Sequence, residues 1–326
     1  MTKQSYVRRE YRAGVLLLLL CSVVAGCRGP SAYKAPVTKF RDSSSVVIES
    51  TKAYLIALNK TERDHYIYNQ ASRPAQIKLI AINEVQVFDP QEIGARIRAL
   101  DQLADYTDLL YTLATSDAPE TARARAKDLG TALTGLTDEI GKLSGDKNDG
   151  IKTAAGKAFP IIGEILHAIV ERTIEQALQK AIVAGDGPVN ELIAAIRTDS
   201  IVAYERKRNA LSDTRRAAVD AYNTEFEKPT KDPVKLKAAA DLVAASEDRW
   251  EAFQTARPVD GLDAMQRANT ALVKFAKLPK PSITDFASFV DAMESFASTA
   301  KRVGEAVRAL ERQIARDTNG APERTS

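Results

Sequence analysis

Two cysteines, two histidines and one tryptophan among 326 residues remove much of enzyme chemistry before any pattern is sought. Both cysteines, Cys21 and Cys27, lie near the N-terminus, so no disulfide framework can staple the rest of the chain. No nucleophile elbow, zinc-protease helix or nucleotide loop occurs. GIKTAAGKA (150–158) approaches a phosphate loop, but its first glycine stands one place early and Ala158 replaces the required hydroxyl. DKNDG (146–150) is one residue short of a calcium loop, lacks the acid at its end, and reads as a solvated turn. Aromatic residues make up only 6% of the chain, while alanine and leucine carry much of the 44% apolar share, which favours helix. No catalytic residue and no cofactor is assigned, so the chain reads as a non-enzyme.

Net charge is also missing once the first segment is set aside. Residues 1–26 hold Lys3, Arg8, Arg9 and Arg12 against Glu10, and removing them takes 46 basic and 43 acidic residues to 42 of each. A balanced chain has no global field with which to attract nucleic acid, so no nucleic-acid partner is expected.

What is present begins at the N-terminus. Residues 1–12 form a basic segment, and Ala13–Ala25 is an apolar core of secretory-signal length, short of the roughly 20 apolar residues of a bilayer span. Arg8-Arg9 raises the twin-arginine route, which Glu10-Tyr11-Arg12 matches poorly. The stretch Val24-Ala25-Gly26-Cys27 resembles the lipobox of bacterial lipoproteins. The resemblance implies that signal peptidase recognises Val24, Ala25 and Gly26 and cuts before Cys27. It further implies that the Cys27 thiol receives a diacylglyceryl group and the new amino terminus an acyl chain. Several chains exceed the two signals that stable anchoring needs. Arg28, in place of an aspartate, implies outer-membrane delivery by the sorting habit of diderm bacteria, with the domain facing the periplasm; a single-membrane source would make it a cell-membrane anchor.

The expected organisation is a signal peptide over 1–26, a lipidated N-terminus with a flexible tether over 27–45, an all-α bundle over 46–316, and a disordered tail over 317–326. The tether is read from the proline, serine and basic residues of RGPSAYKAPVTKFRDSSS (28–45). A first helix is expected from the Ser43–Ser45 cap to about Gln70, and a weaker one over 77–88. Asp89-Pro90 should start a helix with the stripe Leu100, Leu103, Thr107, Leu110, Ala114. Another runs from Asp117-Pro119 to about Ser144. Residues 151–184 read as one helix kinked at Pro160, and Gly185–Pro188 as a break that would divide the bundle into two sub-bundles. A helix over 188–227 follows. Asp232-Pro233 begins one with Leu236, Ala239, Val243, Ser246, Trp250 and Phe253 at heptad positions; another follows Pro258 to about Leu278. Ser282 caps the last, whose apolar lines are Phe286, Val290, Met293, Ala297, Ala300, Gly304, Val307 and Phe289, Phe296, Val303, Leu310. Long helices with short links predict antiparallel neighbours in an elongated bundle.

Two constellations could carry chemistry. Glu62-Arg-Asp-His65 and Glu164-Ile-Leu-His167 each place Glu three residues before His, on one helix face. Such pairs on two helices, with a glutamate on each of two others, are the ligand pattern of di-iron bundles and a route to an oxidase. Glu139 could precede Glu164, but no independent helix precedes Glu62, so coincidence on helix faces is the plainer reading and no metal is assigned. The basic cluster Arg206-Lys207-Arg208 with Arg215-Arg216 could meet an acidic partner, peptidoglycan or lipid phosphate, yet Glu205 and Asp213 interrupt it as on a solvated face.

Residues 158–184 are the most apolar part beyond the signal. They suit a membrane-inserting helix of pore-forming type or, more simply, a central bundle helix, since Glu164, Glu171, Arg172 and Glu175 oppose a passive span. The leading expectation is a lipid-anchored, non-enzymatic scaffold or protein-binding module of the cell envelope, with peptidoglycan as a variant partner. A membrane-active helical protein is the alternative.

Overall fold

The computed structural model describes residues 30–72, 75–116, 118–142, 149–171 and 173–319, and among these the chain is an all-α helical bundle without strands. The helices are α1 (Pro30–Ser72), α2 (Leu79–Val85), α3 (Pro90–Thr115), α4 (Pro119–Ile140), α5 (Asp149–Glu171), α6 (Ile174–Glu227), α7 (Pro233–Thr255), α8 (Pro258–Lys277) and α9 (Ile283–Asn319). Cys27 and the recognition residues Val24, Ala25 and Gly26 lie outside the described residues, as does the DKNDG loop apart from Asp149 and Gly150.

Local chemistry sets several helix starts as expected. Asp89 Oδ1 accepts from the amides of Gln91 and Glu92, both at 2.8 Å, while Glu92 Oε2 accepts from the Asp89 amide, closing a capping box. Asp232 caps α7 through Val234 and Lys235, and Ser282 with Asp285 forms a reciprocal pair ahead of α9. The expected stripe of α3 is buried along its whole length.

Three expectations fail. Residues 30–45 are not a tether but the first four turns of α1, with Tyr33, Val37 and Phe40 fully buried. A line Tyr33–Val37–Phe40–Ser44–Val47–Thr51–Tyr54–Leu58, alternating four and three, runs down the helix and is buried throughout. Ser43 and Ser44, which mimic linker composition, are buried too, because close helix approach needs small side chains, while Ser45 is exposed. A Cβ on Gly261 would stand 3.0 Å from Val47, and one on Gly304 2.9 Å from Val46 and 3.5 Å from Ser50. Secondly, the break lies at Thr173, not at 185–188. Thr173 Oγ1 accepts from the Gln176 amide at 3.3 Å, and α6 then continues through Gly185 and Pro188 for 54 residues, about 80 Å. Pro188 forfeits one backbone bond, but its ring is buried. Gly185 is demanded by packing, since a Cβ there would lie 2.6 Å from the Tyr106 hydroxyl. Thirdly, α9 reaches Asn319, three residues into the expected tail. Its two apolar lines resolve into one: Phe289, Met293, Phe296, Ala300, Val303, Val307, Leu310.

Several consecutive helices pair antiparallel, among them α3 with α4, α5 with α6 and α6 with α7, but the two ends of the described chain do not. Tyr33 meets Phe275, whose ring stacks on Phe289; Phe40 meets Phe296; Val46 faces Gly304, so α1 and α9 run parallel. Between α3 and α6 the fully buried Arg96 bonds Asp199 at 2.8 Å, donates to the Glu92 carbonyl at 2.9 Å and lies over the Phe88 ring. Burial pushes the Asp199 carboxyl above its usual range even though Arg96 pulls it down.

If α1 is core from its first turns, Phe40→Ala should cost roughly 3–5 kcal/mol of unfolding free energy. Urea denaturation checks this; an unchanged midpoint would mean that residues 30–45 are a dispensable leader.

Candidate functional site

The helix α6 is longer than the bundle that surrounds it. From Asp186 to Lys207 it is held on several sides: Asn190 by Asn269, Arg197 by Asp263, Asp199 by Arg96, and Lys207 by Glu62 at 2.9 Å. Beyond Lys207 the ion pairs and ring contacts that α6 makes with another helix among the described residues are with α7, and the two form an antiparallel arm. Arg215 bonds Glu247 at 2.8 Å and lies over the Trp250 ring, while Lys231 covers Phe226 near the tip. A pair of helices has only one seam, so the expected heptad of α7 is half-buried at Leu236, Ala239, Val243 and Trp250 and buried only at Ser246 and Phe253. Val219, Phe226, Val234 and Leu242 are left exposed, Val234 at 77% and Leu242 at 61%. Between Arg208 and Trp250 eight basic residues stand against eight acidic ones, so the arm carries no field suited to a polyanion.

The basic cluster is absorbed by the fold. The Arg206 guanidinium donates to the Val85 and Gln86 carbonyls, both at 3.2 Å, closing the C-terminal end of α2. Lys207 is buried on Glu62, Arg208 pairs with Glu205, and Arg216 pairs with Asp213. Neither an open basic patch nor a uniformly solvated face results: the stretch clamps α2 and α1 to the root of the arm. Sequence spacing did not signal this, because α2 and Glu62 lie more than a hundred residues upstream.

The metal candidates do not converge. Glu62 is held by Lys207 and Glu164 by Lys180 at 2.6 Å; the two lysines are about 27 residues apart on α6, about 40 Å. His167 bonds Glu171 at 2.9 Å on the exposed side of α5, and Glu139 pairs with Arg98. His65 sits on α1, and its side chain is outside the described residues. Among the described residues no three His, Cys, Asp or Glu groups are placed to share a metal ion.

The apolar segment 158–184 is divided at Thr173 between α5 and α6, so it is not one continuous helix. Helix α5 by itself is long and apolar enough to cross a membrane. It packs Ile151, Ala154, Ala155, Ile162, Ile165, Ala168 and Ile169 inward and leaves Val170 exposed. Where it meets α3, α4 and α6 an almost wholly apolar cleft remains, into which the Gln102 side chain and Tyr106 also project.

Comparison with protein-family models, with curated proteins and with solved structures gave no match.

An arm held by one seam contributes little to the core. Replacing residues 217–245 by a four-residue Gly/Ser turn should leave the thermal midpoint of the bundle within about 4 °C, read by circular dichroism. A loss of cooperative unfolding would show the arm to be integral to the core.

Proposed function

We propose that this chain is a lipid-anchored protein of the bacterial outer membrane, facing the periplasm, that acts by presenting its two-helix arm to a protein partner in the cell envelope. The projecting α6–α7 pair carries the proposal: it exposes Val219, Phe226, Val234 and Leu242 on a surface that the bundle does not use. The lipobox-like Val24-Ala25-Gly26-Cys27 supports the address. Only Arg28 and Gly29 separate Cys27 from Pro30, where α1 begins, so an acylated Cys27 would hold the bundle against the bilayer instead of on a long leash.

Geometry then favours outward presentation. The start of α1 packs beside Phe275, at the end of the bundle where Lys277 reaches Asp186 of α6. From that level to Glu227 is about 41 residues of helix, about 60 Å, so the start of α1 and the arm tip stand at opposite ends. Exposed aliphatic and aromatic side chains on a rigid helical pair suit recognition of an amphipathic or apolar protein groove. The balanced charge of the arm does not suit a polyanion.

Cys27→Ser should move the protein from the membrane to the soluble fraction; retention in membranes would overturn the anchor. A photo-crosslinking residue at Leu242 in intact cells should capture one discrete envelope protein, and the same residue on α9 should not. Absence of an adduct from the arm, or capture of peptidoglycan alone, would overturn the protein-binding reading without touching the anchor.

A further inference from the structure

At the end of the bundle where α1 begins, the turn between α8 and α9 and the first two turns of α9 stand beside it. The Tyr33 ring meets Phe275 edge-on at 5.4 Å, and Phe275 in turn lies 6.0 Å from the Phe286 ring. Helix α9 sends Phe289, Met293 and Phe296 into the core, but its start also carries a second, outward stripe. Ile283 is 72% exposed and Phe286 38%, with Ala287 exposed and Val290 half-buried. Steps of three, four and seven from Ile283 put all four on one side of the helix. Two of them, Phe286 and Val290, belong to the apolar line expected in the core.

Charge at this end is one-sided. Between Lys274 and Ser288 three lysines, Lys274, Lys277 and Lys280, stand against one acid, Asp285. That carboxylate is already bonded to the Ser282 amide at 2.8 Å and to its hydroxyl at 2.7 Å. Lys34 adds a cation from the first turns of α1, where no acid occurs between Pro30 and Arg41. Lys277 reaches Asp186 at 3.6 Å, whereas Lys34 and Lys280 have no ion-pair partner among the described residues. The chain beyond residue 26 is balanced as a whole, so this excess is local.

We infer that this end is a bilayer-contact surface: Ile283 and Phe286 enter the interface of a membrane containing anionic phospholipid, while Lys34, Lys274, Lys277 and Lys280 meet its phosphates. The orientation rests on the anchor reading above. Three residues from Cys27 to Pro30 span at most about 10 Å, so an acyl chain on Cys27 brings the start of α1 and the turn beside it to the headgroups. An apolar protein groove would leave the lysines unanswered, and a soluble polyanion would leave Ile283 and Phe286 in water. The surface of an anionic bilayer satisfies both.

The test does without the anchor. The chain from residue 27 onward keeps the whole described core, and with Cys27→Ser it holds no cysteine. Ala287→Cys or Leu242→Cys then supplies a single site for an environment-sensitive fluorophore. Each labelled protein is mixed with vesicles of phosphatidylcholine, alone or with about one-third phosphatidylglycerol. Emission at 287 should shift to the blue with the anionic vesicles at about 50 mM salt and revert at about 500 mM. Emission at 242 should not move. Ile283→Ser should weaken binding about tenfold. Lys34→Gln with Lys280→Gln should weaken it by about tenfold or more. These variants should leave the thermal midpoint unchanged, because all three side chains are exposed. No shift at 287, an equal response to both vesicles, or an equal shift at 242 would each overturn the inference. None of those outcomes bears on acylation of Cys27, which salt-washed membranes of the Cys27→Ser cells read separately.

Discussion

The closure of α1 against α8 and α9 is the constraint on which the rest of the structure depends. It joins residues separated by 255 positions, as in the Lys39–Glu294 pair, and it is close because Gly261 and Gly304 present no side chain where Val46 and Val47 approach. Once α1 is clasped this way, its other side faces α3 through Arg41–Asp108 and Lys52–Asp101. Asn59 then completes the seal by bonding both the carbonyl and the amide of Phe88, at 2.7 and 3.1 Å. The first helix is therefore the axis around which later helices are laid, and its burial makes the N-terminal segment indispensable to a single continuous core.

From that axis the two ends of the molecule acquire different characters. At one end α1 begins, beside the turn between α8 and α9. At the other, α6 outruns its neighbours and, with α7, forms a projection. The root of the projection is tied down by polar contacts, Lys207–Glu62, Arg206 on the α2 carbonyls and Tyr204–Gln254, beside the stacked rings of Tyr54, Phe253 and Tyr204. Such contacts fix direction where little apolar area is available. Under the proposed role this rigidity would serve binding, because a partner engages a preorganised surface at a smaller entropic cost.

Much of the architecture was legible wherever local chemistry dominates. Asp89, Asp232 and Ser282 announce helix starts by hydrogen bonding to amides within three residues, and the stripe of α3 follows from 3.6-residue periodicity alone. Residues 30–45 were misread because small and polar side chains describe both a solvated leader and a tightly packed helix contact. Gly185 and Pro188 were misread because tertiary packing overrides local breaking tendency: Tyr106 fills the space a Cβ on Gly185 would need, and the ring of Pro188 is buried. Of the candidate site, the Glu-x-x-His pairs were visible but do not meet. The Lys207–Glu62 and Arg206–α2 contacts were invisible, since their members lie more than a hundred residues apart and share no spacing.

The sequence by itself determined the helical class, most helix boundaries, the charge balance and the cysteine signature at Cys27, because each depends on residues within a few positions of one another. Only the tertiary structure decided that Pro30 opens a core helix, that α1 and α9 run parallel, that α6 passes through its glycine and proline, and that Arg206 and Lys207 hold α2 and α1 at the root of the arm. Those outcomes depend on which surfaces meet at van der Waals distance, and shape complementarity between distant segments leaves no periodic trace in either one.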